Sequence, residues 1–453
     1  MRQSLRLLGI GGIGIIRMSG KECFTILNRI FEPKKPQAIE EIKGYTMKYG
    51  VIKDKEEIID EVLVSYFKEP KSYTTENMCE INSHGGNIVV RKILELCLQN
   101  GAELAEPGEF TKRAFLQGRI DLVQAESVID VIHAKSEREA KTSMKQLEGA
   151  LSKKIHEIKQ EIMDVMVNLE VVIDYPEYDV EEITKEQIYS MLQSVEQKLK
   201  RLEKSFDEGK IIREGIKTAI VGKPNAGKSS LLNAILQEER AIVTEYEGTT
   251  RDTIEEFVTI AGIPLKLIDT AGIHEAKDEI EKIGIEKAKE IAKEADLVIA
   301  IFDSTKELTK EDRQILAMIQ GKPSIILLNK TDLQVKIDEN LPELQQITPH
   351  ILKISALNQW GLDELYQKIE EIFHLEEINV DQDMVITNLR QKTLVAKAIQ
   401  DLHQAKKTLD ENAPIDISSI FMKEMLEDLG KITGEIVTED IIQEIFSQFC
   451  LGK

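Results

Sequence analysis

Apolar and polar positions change rhythm along this chain, and each rhythm predicts a different kind of element. In residues 1–117, short runs rich in β-branched and aromatic residues ("GYTMKYGVI", "EVLVSYF", "MCEIN") predict strands. "GNIVVRKILELCLQNG" predicts one helix closed by Gly101, so the module reads as α+β. From 118 to 210 apolar residues recur every three or four positions, which predicts long helices. "DYPEYD" breaks them at Pro176, and a second helix is expected over roughly 184–206. Between 211 and 374 the strand-like runs "KTAIVG", "PLKLID", "LVIAIFD" and "PSIILLN" alternate with helical ones, the pattern of a largely parallel sheet covered by helices. Helical periodicity returns from 375 to 453 in "LRQKTLVAKAIQDLHQAKKTL", "SSIFMKEMLEDLG" and "TEDIIQEIFSQF". The two helical flanks predict either one helical domain with the α/β module inserted into it or two separate helical domains.

Composition narrows the class. A length of 453 residues, 42% of them hydrophobic, provides for two to four domains with real cores. The net charge of −21 argues against a simple basic nucleic-acid binder, so any RNA contact needs a local basic patch. No apolar run approaches the roughly 18–20 residues of a membrane helix. The glycine-broken N-terminus reads as mature sequence rather than a signal peptide. Cys23, Cys79, Cys97 and Cys450 are widely scattered with no C-x-x-C pair, which fits reduced thiols in a cytoplasm.

The chemistry concentrates in the α/β module. "GKPNAGKSS" at 222–230 matches G-x-x-x-x-G-K-[ST] between a strand and a helix, where a chance glycine-rich turn is the bland alternative. Gly222 and Gly227 let the backbone wrap phosphates, and the amides around Ala226 to Ser229 face an anion at the positive end of a helix. Lys228 reaches the β and γ phosphates, and the Ser229 hydroxyl suits Mg²⁺. "LIDTAG" ends a strand in Asp269, placed for a contact behind the magnesium, and Gly272 approaches the γ-phosphate. "NKTD" at 329–332 supplies a carboxylate, Asp332, that accepts both donors of the guanine edge; Asn329 braces the loop and the Lys330 stem covers the base. "SAL" at 355–357 offers an amide to guanine O6, and Thr250 in "GTTRD" is a second magnesium hydroxyl. These motifs, in this order, read as a GTPase. Many GTPases place a water-orienting glutamine after D-x-x-G. Ile273 stands there, so another group must take that role.

Beyond these motifs, "GGIGIIRMSG", "EINSHGG", "EPGEFTKRAFLQGRIDLVQAESVIDVIHAKSE", "GTTRDT" and the terminal "CLGK" resemble the tRNA-modification GTPase family MnmE, also called TrmE, over nearly the whole chain. The resemblance implies a multidomain α+β protein. Residues 1–117 would bind tetrahydrofolate and dimerise, 118–210 and 375–453 would form a helical domain, and 211–374 an inserted Ras-like P-loop G domain. It implies a K⁺-stimulated GTPase that works with an FAD-dependent partner, MnmG or GidA, on the wobble uridine (U34) of certain tRNAs. An aminomethyl or carboxymethylaminomethyl group would be added at C5, with methylene-tetrahydrofolate as one-carbon donor. The nucleotide positions it carries over are Asn225, Ala226, Gly227, Lys228, Ser229, Ser230, Thr244, Glu245, Tyr246, Glu247, Gly248, Thr249, Thr250, Asp269, Thr270, Ala271, Gly272, Asn329, Lys330, Thr331, Asp332, Ser355 and Ala356. Asn225, Thr244, Tyr246 and Thr249 match the potassium ligands, and Ser229 and Thr250 the magnesium ligands. Glu281 matches the water-orienting glutamate and answers the gap at Ile273; Arg17, Glu80, Arg119 and Lys453 match folate-contacting positions. Two departures stand out: "MRQSLRLLGI" replaces the family's usual "D-T-I-x-A-x-A-T-P" strand, and Tyr246 is larger than the residue expected in the cation loop, where a backbone carbonyl ligand would survive the change. Among the folate positions, Arg119 stands where lysine is often seen.

Two other readings compete. A ribosome-assembly GTPase shares the nucleotide motifs but leaves the N-terminal module unaccounted for. A lipidation box at "CLGK" fits poorly at Gly452 and Lys453. Cys450 itself reads either as a buried small hydrophobe or as a catalytic thiol beside a one-carbon donor.

Overall fold

A computed structural model describes residues 2–5, 11–36, 41–174, 185–237, 256–260, 262–267, 290, 292–375, 386–411, 414–449 and 452. Its strands, in chain order, are β1 (Arg2–Leu5), β2 (Ile13–Ser19), β3 (Phe31–Pro33), β4 (Thr46–Asp54), β5 (Glu57–Phe67), β6 (Met78–His84), β7 (Glu103–Leu104), β8 (Ile216–Val221), β9 (Glu256–Ile260), β10 (Ile263–Leu267), β11 (Leu297–Asp303), β12 (Ser324–Asn329) and β13 (Ile351–Lys353). Contacts group the chain into two compact units, one of residues 1–129, 146–160 and 423–453, the other of 130–145 and 161–422.

In the first unit, β1–β7 form one sheet in the order β3-β4-β5-β6-β2-β1-β7. Side-chain alternation sorts its two faces. Ile16, Met18, Ile52, Val62, Val64, Cys79 and Ile81 turn inward to a core completed by the helices Cys23–Ile30 and Asn87–Gln99. On the other face the register aligns Tyr49 with Leu63, Leu63 with Asn82 and Asn82 with Ile15. The neighbouring row runs Met47, Ser65, Glu80, Arg17. A strand at Arg2–Leu5 pairs β2 and β7 although its sequence departs from the family pattern. The expectation of one helix in this module is too low. Cys23–Ile30 and Glu109–Leu116 are also helical, each too short at 8 residues to show periodicity over an 11–18-residue window. The helix Glu439–Ser447 packs on Glu109–Leu116, with the Phe115 and Phe446 rings 6.3 Å apart.

In the second unit, β8–β13 form a sheet in the order β13-β12-β11-β8-β10-β9. All neighbours are parallel except β9, which returns antiparallel to β10. The continuous apolar runs follow from burial on both faces. Leu297, Ile299 and Ile301 enter one core and Val298, Ala300 and Phe302 the opposite one. The helices Lys185–Glu214 and Leu389–Asp410 belong to the same unit and pack together. The expected break at Pro176 lies outside the described residues. Among the described residues, no helix is long and apolar enough to cross a membrane.

Candidate functional site

The phosphate loop leaves β8 at the centre of the second sheet, where the chain order reverses: β10 lies on one side of β8 and β11 on the other. Open parallel sheets bind ligands at such switch points, beyond the carboxyl ends of the strands. Two glycines permit the loop's course. A Cβ on Gly222 would sit 2.5 Å from the Ile301 carbonyl oxygen, and one on Gly227 would sit 2.0 Å from Asn329 Nδ2. Gly227 also has φ +112°, and Asn225 holds a left-handed φ of 63°, which its short amide tolerates. The helix Lys228–Gln237 follows, anchored in the core by Leu231, Leu232 and Ile235, so its free N–H groups open onto the loop.

Lys228 folds back over the loop. Its ammonium donates to the carbonyls of Gly222 at 2.7 Å and Lys223 at 2.9 Å. Burial holds its pKa below the ordinary lysine value. An ammonium held on neutral carbonyls and short of solvent gains strongly from an incoming phosphate, and the site fits that group.

The residues expected to face the base converge from the ends of two strands. Asn329, buried at the end of β12, donates from Nδ2 to the Ala226 carbonyl at 2.8 Å, while its Oδ1 accepts from the Ala356 amide at 3.0 Å. One side chain thus ties the phosphate loop to the 355–357 loop. Ser355 Oγ donates to Asp332 Oδ1 at 2.7 Å and orients that carboxylate. The Thr331 amide and hydroxyl both donate to the Ile354 carbonyl, at 3.2 and 2.9 Å. Ser355 and Trp360 exchange two backbone hydrogen bonds of 3.1 Å, closing the loop into a small bridge.

Asp303 ends β11 and pairs with Lys330 at 2.7 Å, a partner the motif pattern did not reveal. Burial pushes this carboxyl up, but Lys330 and the Thr305 hydroxyl and amide outweigh it and hold the pKa below the usual value. Lys330 has φ +67°, and the ion pair holds its stem along the loop. Lys223 is fixed likewise by Asp312 at 2.6 Å and Thr309 at 2.8 Å. The only earlier signal for Asp303 was its position ending an apolar strand, as Asn329 does; the register sets the two side by side. Ser229 and Ser230 lie exposed in the helix's first turn. Thr244, Glu245, Tyr246, Glu247, Gly248, Thr249, Thr250, Asp269, Thr270, Ala271, Gly272 and Glu281 lie outside the described residues.

A second site lies in the first unit, where a cavity of about 550 Å³ is lined by Arg17, Glu80 and Arg119 together with Lys71 and Tyr73. Strand register sets Arg17 opposite Glu80, and Nε and Nη2 of the guanidinium both donate to Glu80 Oε1, at 2.8 and 2.7 Å. The Arg17 guanidinium lies 5.6 Å from the Tyr73 ring centre, and that of Arg119 lies 4.8 Å from it. Arg119 also donates to the Tyr73 carbonyl at 3.2 Å. Arg17 Nη1 donates to the Gly452 carbonyl at 3.2 Å, which brings the "CLGK" stretch to this cavity; Cys450 and Lys453 themselves lie outside the described residues. Sequence reasoning missed Lys71 and Tyr73, which sit on a loop without a motif.

Two family profiles match the chain: "MnmE helical domain" over residues 122–450 and "GTP-binding protein TrmE N-terminus" over 6–119. A tRNA modification GTPase MnmE of Clostridioides difficile (strain 630) is 48% identical over 98% of this chain and 97% of its own length. One from Thermoanaerobacter pseudethanolicus is also 48% identical, over the same shares of both chains. Among solved structures, the G domain of the T. maritima FeoB iron transporter matches 35% of this chain and 98% of its own at 28% identity, with a TM-score of 0.26.

Proposed function

The chain belongs to the MnmE family of tRNA modification GTPases, and we propose that it hydrolyses GTP in the service of tRNA modification. The observation that carries this reading is the single hydrogen-bonded system of Asn329, which joins the phosphate loop to a carboxylate-bearing loop built for guanine. Asp332, held by Ser355, accepts N1–H and the 2-amino group, a donor pair adenine lacks. Lys228 exchanges its two loop carbonyls for phosphate oxygens, and the amides opening the helix Lys228–Gln237 bind the remaining charge. Magnesium would supply charge neutralisation between the phosphates, and Ser229 in the first helical turn, with Thr250, would hold it. Potassium would add the positive charge that other GTPases take from an arginine finger, held by Asn225, Thr244, Tyr246 and Thr249. The exposed, left-handed Asn225 turns its part of the loop toward solvent, which suits a ligand arriving with the nucleotide. Glu281 orients the attacking water.

The finer assignment is the aminomethyl-type modification at C5 of U34, with a tetrahydrofolate one-carbon donor in the N-terminal cavity and an FAD-bearing MnmG-like partner. The cavity fits a folate chemically. Glu80 keeps Oε2 for ring N–H donors while Arg17 occupies Oε1, and Tyr73 offers an aromatic wall. Lys453 follows Gly452, whose carbonyl Arg17 already holds. Dimerisation through this unit is supported by exposed Ile15, Met47, Tyr49 and Leu63 on the sheet face that also carries Arg17 and Glu80. A cytoplasmic enzyme of 1–117, 118–210, 211–374 and 375–453 domain segments completes the proposal. The ribosome-assembly alternative loses its ground, because the family matches span the N-terminal and helical parts it left unexplained.

Hydrolysis measured in K⁺ and then in Na⁺ tests the cation site: turnover is expected to rise at least about tenfold in K⁺, and indifference to the swap would remove it. Glu281→Ala is expected to bind GTP and lose hydrolysis. Wobble-uridine nucleosides from cells lacking the protein, with and without complementation, test the modification itself.

A further inference from the structure

The N-terminal cavity holds more positive charge than its own carboxylate can balance. Arg17, Lys71 and Arg119 line it against Glu80 alone. Arg17 is committed to Glu80. Arg119 lies over Tyr73 and is exposed, with further donors facing solvent. Lys71 is exposed, and its ammonium has no hydrogen bond or ion pair among the described residues.

The loop that carries Lys71 is nevertheless well braced. The Glu69 amide donates to Asn77 Oδ1 at 3.1 Å, and the Ser72 amide donates to the Pro70 carbonyl at 3.0 Å. Ser72 Oγ donates to the Glu76 carbonyl at 2.5 Å. Glu76 Oε2 in turn accepts from Arg113 at 2.8 Å and from Ser19 at 2.9 Å, and Arg113 is anchored on Glu109 at 2.6 Å. Desolvation lowers the Arg113 pKa, but Glu109 and Glu76 more than reverse that and keep the guanidinium charged. A lysine free at its tip and fixed at its backbone is pre-organised for an anion from outside the chain. The background charge of −21 repels anions in general, so two cations concentrated at one cavity mouth mark where one is admitted.

Resting on the folate reading above, we propose that Lys71, together with Arg119, binds the glutamate tail of the folate, so that the site prefers forms extended by γ-linked glutamates. The rings lie toward Tyr73 and Glu80. The tail leaves past Lys71, and each added residue brings one more carboxylate to this positive rim.

Calorimetric titration of the full-length protein with 5-formyl-tetrahydrofolate carrying one or three glutamates tests this. For wild type, the triglutamate is expected to bind about 3- to 10-fold tighter at low salt, with the gap shrinking as salt rises. Lys71→Ala is expected to bring the two ligands within about twofold of each other, and Lys71→Arg to restore the preference. Equal affinity of wild type for both ligands, or an undiminished gap in Lys71→Ala, overturns the tail assignment while leaving the folate site standing. Failure of wild type to bind either ligand overturns both.

Discussion

Asn329 and Gly227 show how little room a nucleotide site leaves for exchange. Asn329 donates an N–H to the Ala226 carbonyl and accepts from the Ala356 amide at Oδ1, so both ends of its amide are engaged. Gly227 lies where any side chain would strike that amide at 2.0 Å, on a backbone turned to φ +112°. Gly227→Ala is therefore expected to cost about 1–3 kcal/mol of stability. It is also expected to weaken GTP binding by at least about 100-fold, because Asn329 must release the phosphate loop. Nucleotide titration beside thermal unfolding checks both; an unchanged GTP affinity would mean the loop relaxes around the methyl group. Lys228 is the counterpart in electrostatics. Its charge is disfavoured by burial before nucleotide arrives, which makes the phosphate contact worth more than an exposed lysine would give.

At the scale of elements, legibility followed length and periodicity. β8, β10, β11 and β12 were readable because burial on both faces forces unbroken apolar runs. The short β13, of 3 residues, and the antiparallel β9 carry no such signature. The predicted helical stretch from 118 is in fact divided into Leu122–His133, Glu137–Leu147 and Ala150–Asp174, since interruptions of a few residues barely disturb a 3.6-residue period. Motif spacing revealed Asp332, but not the Asp303–Lys330 pair, which depends on adjacent strands ending level. The helix Glu137–Leu147 also carries a titrating element. Glu139 is buried and its pKa is pushed up to about 7, chiefly by burial and further by Asp130, against the Lys135 amide, the Lys135 charge and Arg213. The folded chain thus keeps a proton that the unfolded chain has released above its ordinary value of 4.5, so stability falls as pH rises from there toward 7. Glu139→Gln can still accept the Lys135 N–H without titrating. It is expected to recover up to about 3 kcal/mol at pH 8. Melting curves of both proteins at pH 5 and 8 check this, and parallel shifts would remove Glu139 as the cause.

For the whole molecule, the exposed row of Ile15, Leu63 and Tyr49 is the feature with the widest reach. Leu63 is 42% exposed, so a charge there leaves the sheet's core untouched. If the proposed dimer forms through this row, Leu63→Asp is expected to convert it to monomers in sedimentation without altering GTP affinity, and a variant still dimeric at micromolar concentration would point to another interface. The guanine-side bridge has a practical corollary of a different kind. The chain has 1 tryptophan, and Trp360 is 60% exposed while bonded twice to the backbone of Ser355, the residue that orients Asp332. Occupancy of the proposed base pocket is therefore expected to be felt by the one indole in the protein. Its emission should report nucleotide arrival and departure in real time, unlabelled and free of tryptophan signal from the N-terminal unit.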